Sequence, residues 1–112
     1  MYCNIKELQD DKMTFERIMG IHVTDDEEYQ RYREGMLPIL HSFGGSFGFD
    51  FKISQVLLSK TDDKINRVFT IDFPDKEIMD SFFSDPEYLE IQKKHFIKSV
   101  SSKTIISIHE KK

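Results

Sequence analysis

The spacing of apolar residues changes along this chain in an order that few folds accept: period two, a helical period, two further runs of period two, a helical period, and period two again. Phe15, Met19, Ile21 and Val23 alternate over 15–23, with Arg17 as the exception on that face. Thr24-Asp-Asp-Glu27 has the form of a capping box. Tyr29, Tyr32, Met36, Leu37, Leu40 and Phe43 then recur at helical spacing, and Gly44 is placed to end the helix as a left-handed cap. Pro38 removes one backbone donor from that helix and is expected to bend it without ending it.

Residues 46–54 carry the cleanest alternation. Phe47, Phe49, Phe51 and Ile53 share one face, which predicts a half-buried strand with those four side chains turned to the helices. Truncating such a buried Phe, as in Phe49→Ala, is expected to cost about 3–5 kcal/mol. After Gln55 the apolar phase slips to Val56 and Leu58, so a bulge or bend is expected there. A turn over 61–64 returns the chain as a strand over 66–73. Asp75 caps a second helix, re-capped at Asp85-Pro86, with Tyr88, Ile91, His95 and Phe96 continuing its inward stripe; 103–109 is the last strand.

Both helices need a partner for their apolar stripes, and the strands supply it. The order therefore predicts an α+β, ferredoxin-like βαββαβ fold: a four-stranded antiparallel sheet with two helices on one face. Residues 1–14 read as a polar N-terminal extension, with room for a helical turn around Ile5–Leu8, and 15–112 as a single domain. The uncovered sheet face is not uniformly polar: Ile18, Val68 and Ile105 are expected on it. A homodimer through that face is the expected partner.

Composition narrows the function classes. A net charge of −4 does not provide the cationic field of a general nucleic-acid or anionic-membrane binder, so neither partner is expected. The single cysteine, Cys3, permits no internal disulfide and favours a cytoplasmic location. No apolar run reaches the roughly 18 residues of a membrane span, and the start of the chain lacks the apolar core of a signal peptide.

The stretch "HSFGGSFGFDF" holds two decoys. Gly44-Gly45-Ser46-Phe47-Gly48 fits the hydrolase nucleophile pattern G-x-S-x-G, but that motif needs a strand before the serine and a helix after it, the reverse of the order here. The Phe run resembles an RNA-binding strand, yet it opens on Gly-Ser and contains Asp50, which repels phosphate. No pair among His22, His41, His95 and His109 has the i, i+4 spacing of a helical metal site, so no metal and no cofactor are expected. His22, Tyr32, His41, Tyr88 and His95 are the candidate pocket residues. A His suits proton acceptance near neutral pH, and a Tyr suits donation to a developing oxyanion. Gly20 and the Gly35–Pro38 bend are the expected sources of space for a ligand, with Met13, Met36 or Met79 as the residues that would otherwise fill it.

"VTDDEEYQRYREGMLPILHSFGG", "RVFTIDFPDKEIMDSFFSDPEYLEI" and the closing strand resemble the domain-of-unknown-function family 1330, over about residues 15–109. The markers are Asp25 or Asp26, Tyr32, Pro38, Gly44-Gly45, Phe73, and Ser84 with Tyr88. The chain departs from the family at Ser46 and His95, where arginine is usual. The resemblance implies the dimeric α+β barrel superfamily: a homodimer whose two sheets face each other with the helices outside. That superfamily includes cofactor-independent monooxygenases, haem-degrading enzymes, muconolactone-type isomerases and stress-response proteins. The leading expectation is a small-molecule-binding dimer, either a monooxygenase- or isomerase-like enzyme or a non-catalytic ligand-sensing or stress-associated module. A haem- or metal-binding protein comes third.

Overall fold

The computed structural model describes residues 13–112; most of the N-terminal extension, with the turn expected at Ile5–Leu8, and Cys3 lie outside the described residues. The element order is β1 (Thr14–Val23), α1 (Asp26–Ser42), β2 (Ser46–Lys52), β3 (Arg67–Phe73), α2 (Lys76–Phe83), α3 (Pro86–Ile91), a π-helical turn (Gln92–Phe96), α4 (Ile97–Ser99) and β4 (Val100–Lys111). Among the described residues the strands form a four-stranded sheet in the order β2-β3-β1-β4, every neighbouring pair antiparallel. The helices cover one face of it. Met19, Ile21 and Val23 of β1 and Phe69, Ile71 and Phe73 of β3 form one core with Tyr29, Tyr32, Met36 and Leu40 of α1 and with Met79, Phe82 and Tyr88. This is the ferredoxin-like α+β arrangement that the order of periods predicts.

Local chemistry sets the element ends. The cap of α1 is Asp25, one residue beyond Thr24, and its Oδ1 accepts from Glu28 N at 3.1 Å. Thr24 instead ties the end of β1 to α4, its backbone N–H donating to Ser99 O at 2.8 Å. The helix continues through Pro38, and Gly44, at φ +77°, turns the chain out of it. Asp75 and Asp85 cap α2 and α3 through Ile78 N and Tyr88 N.

The expectation for β2 fails at Gly48. Phe47 lies opposite Ile71, but Asp50 lies opposite Phe69, so Gly48 and Phe49 together face the single residue Thr70. This is a β-bulge, and it moves every later side chain of the strand to the other face. It sits several residues before the slip expected after Gln55. The Thr70 hydroxyl accepts from Phe49 N at 2.8 Å, and a Cβ on Gly48 would stand 2.5 Å from that same oxygen. Phe47 therefore stays on the helix side, half-buried against Phe69 at 5.6 Å. Phe49 and Phe51, 62% and 52% exposed, stack 5.8 Å apart on the open face.

A second bulge corrects the last strand. Ser107 lies opposite Ile18 but Ile105 lies opposite Met19, so Ile106 is the extra residue and Ile105 joins the helix side. The open face then carries Ile18, Val68, Phe49 and Phe51, together with an ionic cluster. In that cluster Lys111 Nζ bonds Glu16 at 3.1 Å, and His109 Nε2 lies 2.9 Å from the same carboxylate.

Gly48→Ala is expected to destabilise the protein by about 1–3 kcal/mol, because the new methyl displaces the hydroxyl that holds the bulge. Phe49→Ala is expected to fall well short of the 3–5 kcal/mol (roughly) of a core deletion. Urea unfolding of both variants checks this; an unchanged midpoint for Gly48→Ala would mean that the bulge lies elsewhere.

Candidate functional site

The helix-facing side of the sheet and the inward stripes of α1 and α3 enclose a cavity of about 180 Å³. Its floor is apolar, with Met19 and Ile21 from β1 and Phe69 and Ile71 from β3. Its roof is built by helical spacing: Tyr32, Arg33 and Met36 of α1, at i, i+1 and i+4, line it, and Tyr29 packs behind Tyr32 one turn earlier. The Asp85 cap fixes the start of α3 and hence Tyr88. The π-helical turn places both Gln92 and Phe96 on the cavity wall. Such wide turns recur at functional sites, because they re-aim side chains that a regular helix would point elsewhere.

The two hydroxyls of Tyr32 and Tyr88 meet at 2.8 Å, both side chains buried. Burial, then the nearby Tyr88 with its hydrogen bond, pushes the Tyr32 phenol well above its ordinary pKa; burial raises Tyr88 and Tyr29 as well. All three keep their protons at neutral pH. Only one proton can lie in the Tyr32–Tyr88 bond, so the other is left to donate.

The charged lining is one-sided. Among the described residues Arg17, Arg33 and Lys103 line the cavity, and no Asp or Glu does. Arg33 is well anchored: Nε donates to Tyr29 Oη at 2.8 Å, Nη1 to Asp50 at 3.1 Å, and its Cζ sits 4.0 Å from the Phe47 ring centroid. Arg67 also grips Asp50 through two bonds of 3.0 and 2.7 Å. Arg17 rests its guanidinium 4.4 Å over the Phe83 ring, and burial lowers its pKa, offset in part by Tyr88, Asp80 and Tyr32. The Nε of Arg17 and the Nη2 of Arg33 are buried without a hydrogen-bond partner.

Of the five candidate residues the structure brings two together, Tyr32 and Tyr88. His22 lies on the open sheet face, its Nδ1 2.7 Å from Ser101 Oγ. Even positions of β1 point away from the helices, which separates His22 from His41 and His95. Gly20 shares that face and lies beneath Ile65, so it opens no space in the cavity. His41 is exposed in the last turn of α1. His95 Nδ1 lies 2.6 Å from Glu28 Oε2 and joins the C-terminal helical segment to the start of α1. Among the described residues no group of three or more His, Cys, Asp or Glu is arranged to hold a metal ion.

Sequence reasoning passed over Arg17, Arg33, Gln92 and Lys103. Arg17 did carry a signal, as the cation that breaks the apolar stripe of β1. Arg33 is the i+4 neighbour of Tyr29, but its partner Asp50 is turned toward it only by the bulge.

A family model, the domain of unknown function DUF1330, matches residues 17–107, and the chain belongs to that family. No curated protein matches the chain. Among solved structures it is similar to RPA0582, a protein of unknown function from Rhodopseudomonas palustris, at 17% identity and a TM-score of 0.72, covering 94% of this chain and 88% of that one. It is also similar to a dabb family protein with a ferredoxin-like fold from Mesorhizobium loti, at 13% identity and a TM-score of 0.59, covering 88% and 94%. A dimeric ferredoxin-like protein of unknown function from Thermobifida fusca matches at 7% identity and a TM-score of 0.54, covering 89% and 91%. These likenesses support the fold. No helix among the described residues is long and apolar enough to cross a membrane.

Desolvation works against the Asp50 carboxylate, but the Arg67 bonds and the charges of Arg33 and Arg67 outweigh it and hold the pKa below its ordinary value. The contribution of a carboxylate with a lowered folded pKa is full above its unfolded pKa, about 3.9. It is lost as the pH falls through the lower folded value. Asp50→Asn is therefore expected to be less stable than wild type at neutral pH, with the difference narrowing as the pH drops below about 4. Denaturant midpoints across that range check the sign; a difference independent of pH overturns the ionic role.

Proposed function

We propose that this member of the DUF1330 family is a cytoplasmic homodimer, one domain over 15–112, that binds a small organic molecule in the cavity between its helices and sheet. The observation that carries the reading is the cavity of about 180 Å³ closed over the Tyr32–Tyr88 hydroxyl pair. Apolar walls with a few converging polar groups are the usual form of a ligand site. An apolar cavity of about 150 Å³ holds benzene, so the guest is of single-ring size. Tyr32 and Tyr88 are its proposed polar contacts; His22, His41 and His95 lie off the cavity lining.

Binding without turnover is favoured over catalysis by one feature of the lining. A cofactor-independent monooxygenase and an isomerase both remove a proton from carbon, and among the described residues neither carboxylate nor imidazole lines this cavity. A Tyr can donate to an oxyanion but, held protonated by burial, it is a poor acceptor. The protein is accordingly read as a ligand-sensing or carrier module.

The dimer rests on the open face. Phe49 and Phe51 stand exposed beside Val68 and Ile18, an apolar group of the kind that marks an interface. The Thermobifida fusca relative is described as dimeric. Two copies meeting sheet to sheet leave the helices and the cavity on the outer side.

Light scattering at micromolar concentration is expected to give twice the chain mass for wild type and the monomer mass for Phe49→Glu; a monomeric wild type overturns the dimer. For the pocket, Tyr32→Phe is expected to weaken binding of single-ring carbonyl or phenolic compounds by roughly 3–10-fold, the worth of one hydrogen bond. Its melting temperature should stay close to that of wild type. If no such compound binds wild type, and the variant differs only in melting temperature, the two tyrosines are ordinary core.

A further inference from the structure

Resting on the pocket reading above, we infer that the molecule the cavity takes is an organic anion: a single-ring aromatic or alicyclic carboxylate, its carboxylate received by Arg17 beside the Tyr32–Tyr88 pair. Arg17 interrupts a stripe otherwise made of Phe15, Met19, Ile21 and Val23, and the sheet presents it to the cavity. Among the described residues no acidic side chain forms an ion pair with it; its close neighbour is the face of Phe83. Its Nε is buried and has no acceptor. A buried N–H without a partner destabilises the empty protein, and the half-buried guanidinium has only the charge of Asp80, beyond ion-pair distance, to offset its desolvation. An arginine placed for structure alone looks different here: Arg67 spends its fork on Asp50.

The surroundings agree on the sign of the guest. The whole chain carries a net charge of −4, yet the cavity lining holds three cations and no carboxylate. Arg33 presents a second unpartnered donor, Nη2, to the same space. Arg17 lines the same cavity as Tyr32 and Tyr88, so a guanidinium donor and a free phenolic proton face one space. A guanidinium N–H and a phenol O–H are the donors a carboxylate accepts from. Apart from Gln92 the remaining walls are aromatic and aliphatic, which suits an apolar ring and not a hydrated inorganic anion.

The test uses the full chain, with benzoate and its neutral isostere benzamide as probes in calorimetric titration. Benzoate is expected to bind wild type at least about 10-fold more tightly than benzamide, and to weaken as salt is added. Arg17→Met should lose that preference while still admitting benzamide, and should melt higher than wild type when empty, since the unpaired cation is gone. Arg17→Gln, closer in shape and polarity, serves if the methionine variant does not fold. Equal binding of the two probes to wild type overturns the anion inference and leaves the pocket standing. No binding of either probe at millimolar concentration overturns the pocket and this inference with it. An Arg17 variant that melts lower than wild type yet keeps the benzoate preference overturns the assignment to Arg17.

Discussion

One hydrogen bond, from the Phe49 N–H to the Thr70 hydroxyl, governs both faces of the sheet. It stands where a regular ladder would have a backbone carbonyl, and it holds two residues of β2 against one of β3. The change of phase has two consequences at once. Phe49 and Phe51 turn to the open face and make it apolar. Asp50 turns to the helix side, where it meets Arg33 of α1 and Arg67 of β3. A strand without the bulge would bury two phenylalanines beneath α1 and leave Arg33 without its carboxylate. The one-signed lining of the cavity and the apolar open face thus share a single local cause.

The charge distribution around the cavity follows from that arrangement. Asp50 is one carboxylate serving two guanidinium groups, so it fixes Arg33 in place without saturating it. Arg17 has no such anchor and lies against an aromatic face, where cation–π attraction offsets part of its desolvation. The burial-driven fall in its pKa is the electrostatic counterpart of its orphaned Nε.

The fold was legible because period and capping chemistry act locally. The Asp75 and Asp85 caps, the helix end at Gly44 and the order of strands and helices all follow from residues within a few positions of each other. The bulges were not legible. Gly48 and Thr70 are 22 positions apart in the chain, and nothing in the alternation of Phe47, Phe49, Phe51 and Ile53 reveals that a hydroxyl on the neighbouring strand will break it. The same limit explains the site. Tyr32 and Tyr88 were accessible as members of inward helical stripes. His22 lies off the cavity because strand parity sets its face, and His95 bonds Glu28, 67 residues away, a partner that no local pattern reveals. Arg17 was visible as an exception, but an exception acquires meaning only when its partners are known to be missing.

The persistence of a void in so small a core also has a physical reason. Methionine adapts to irregular space, and Met36, almost fully buried, does line the cavity, while Met79 is packed in the core and Met13 is exposed. Neither fills the gap because the walls are set by rings that brace one another. Tyr29 contacts Tyr32 at 5.6 Å, Tyr32 contacts Phe96 at 4.9 Å, and Phe82 contacts Tyr88 at 4.4 Å. Rings have few rotamers and cannot collapse into a space as an aliphatic chain can. The Tyr32–Tyr88 bond closes the circuit by joining α1 to α3 across the opening. Rigid aromatic walls, a donor pair spanning two helices and an arginine with an unpartnered buried Nε keep the cavity open and polarised. Recognition then requires little ordering of the protein, and pre-organisation of this kind is what lets a small ligand bind through few contacts.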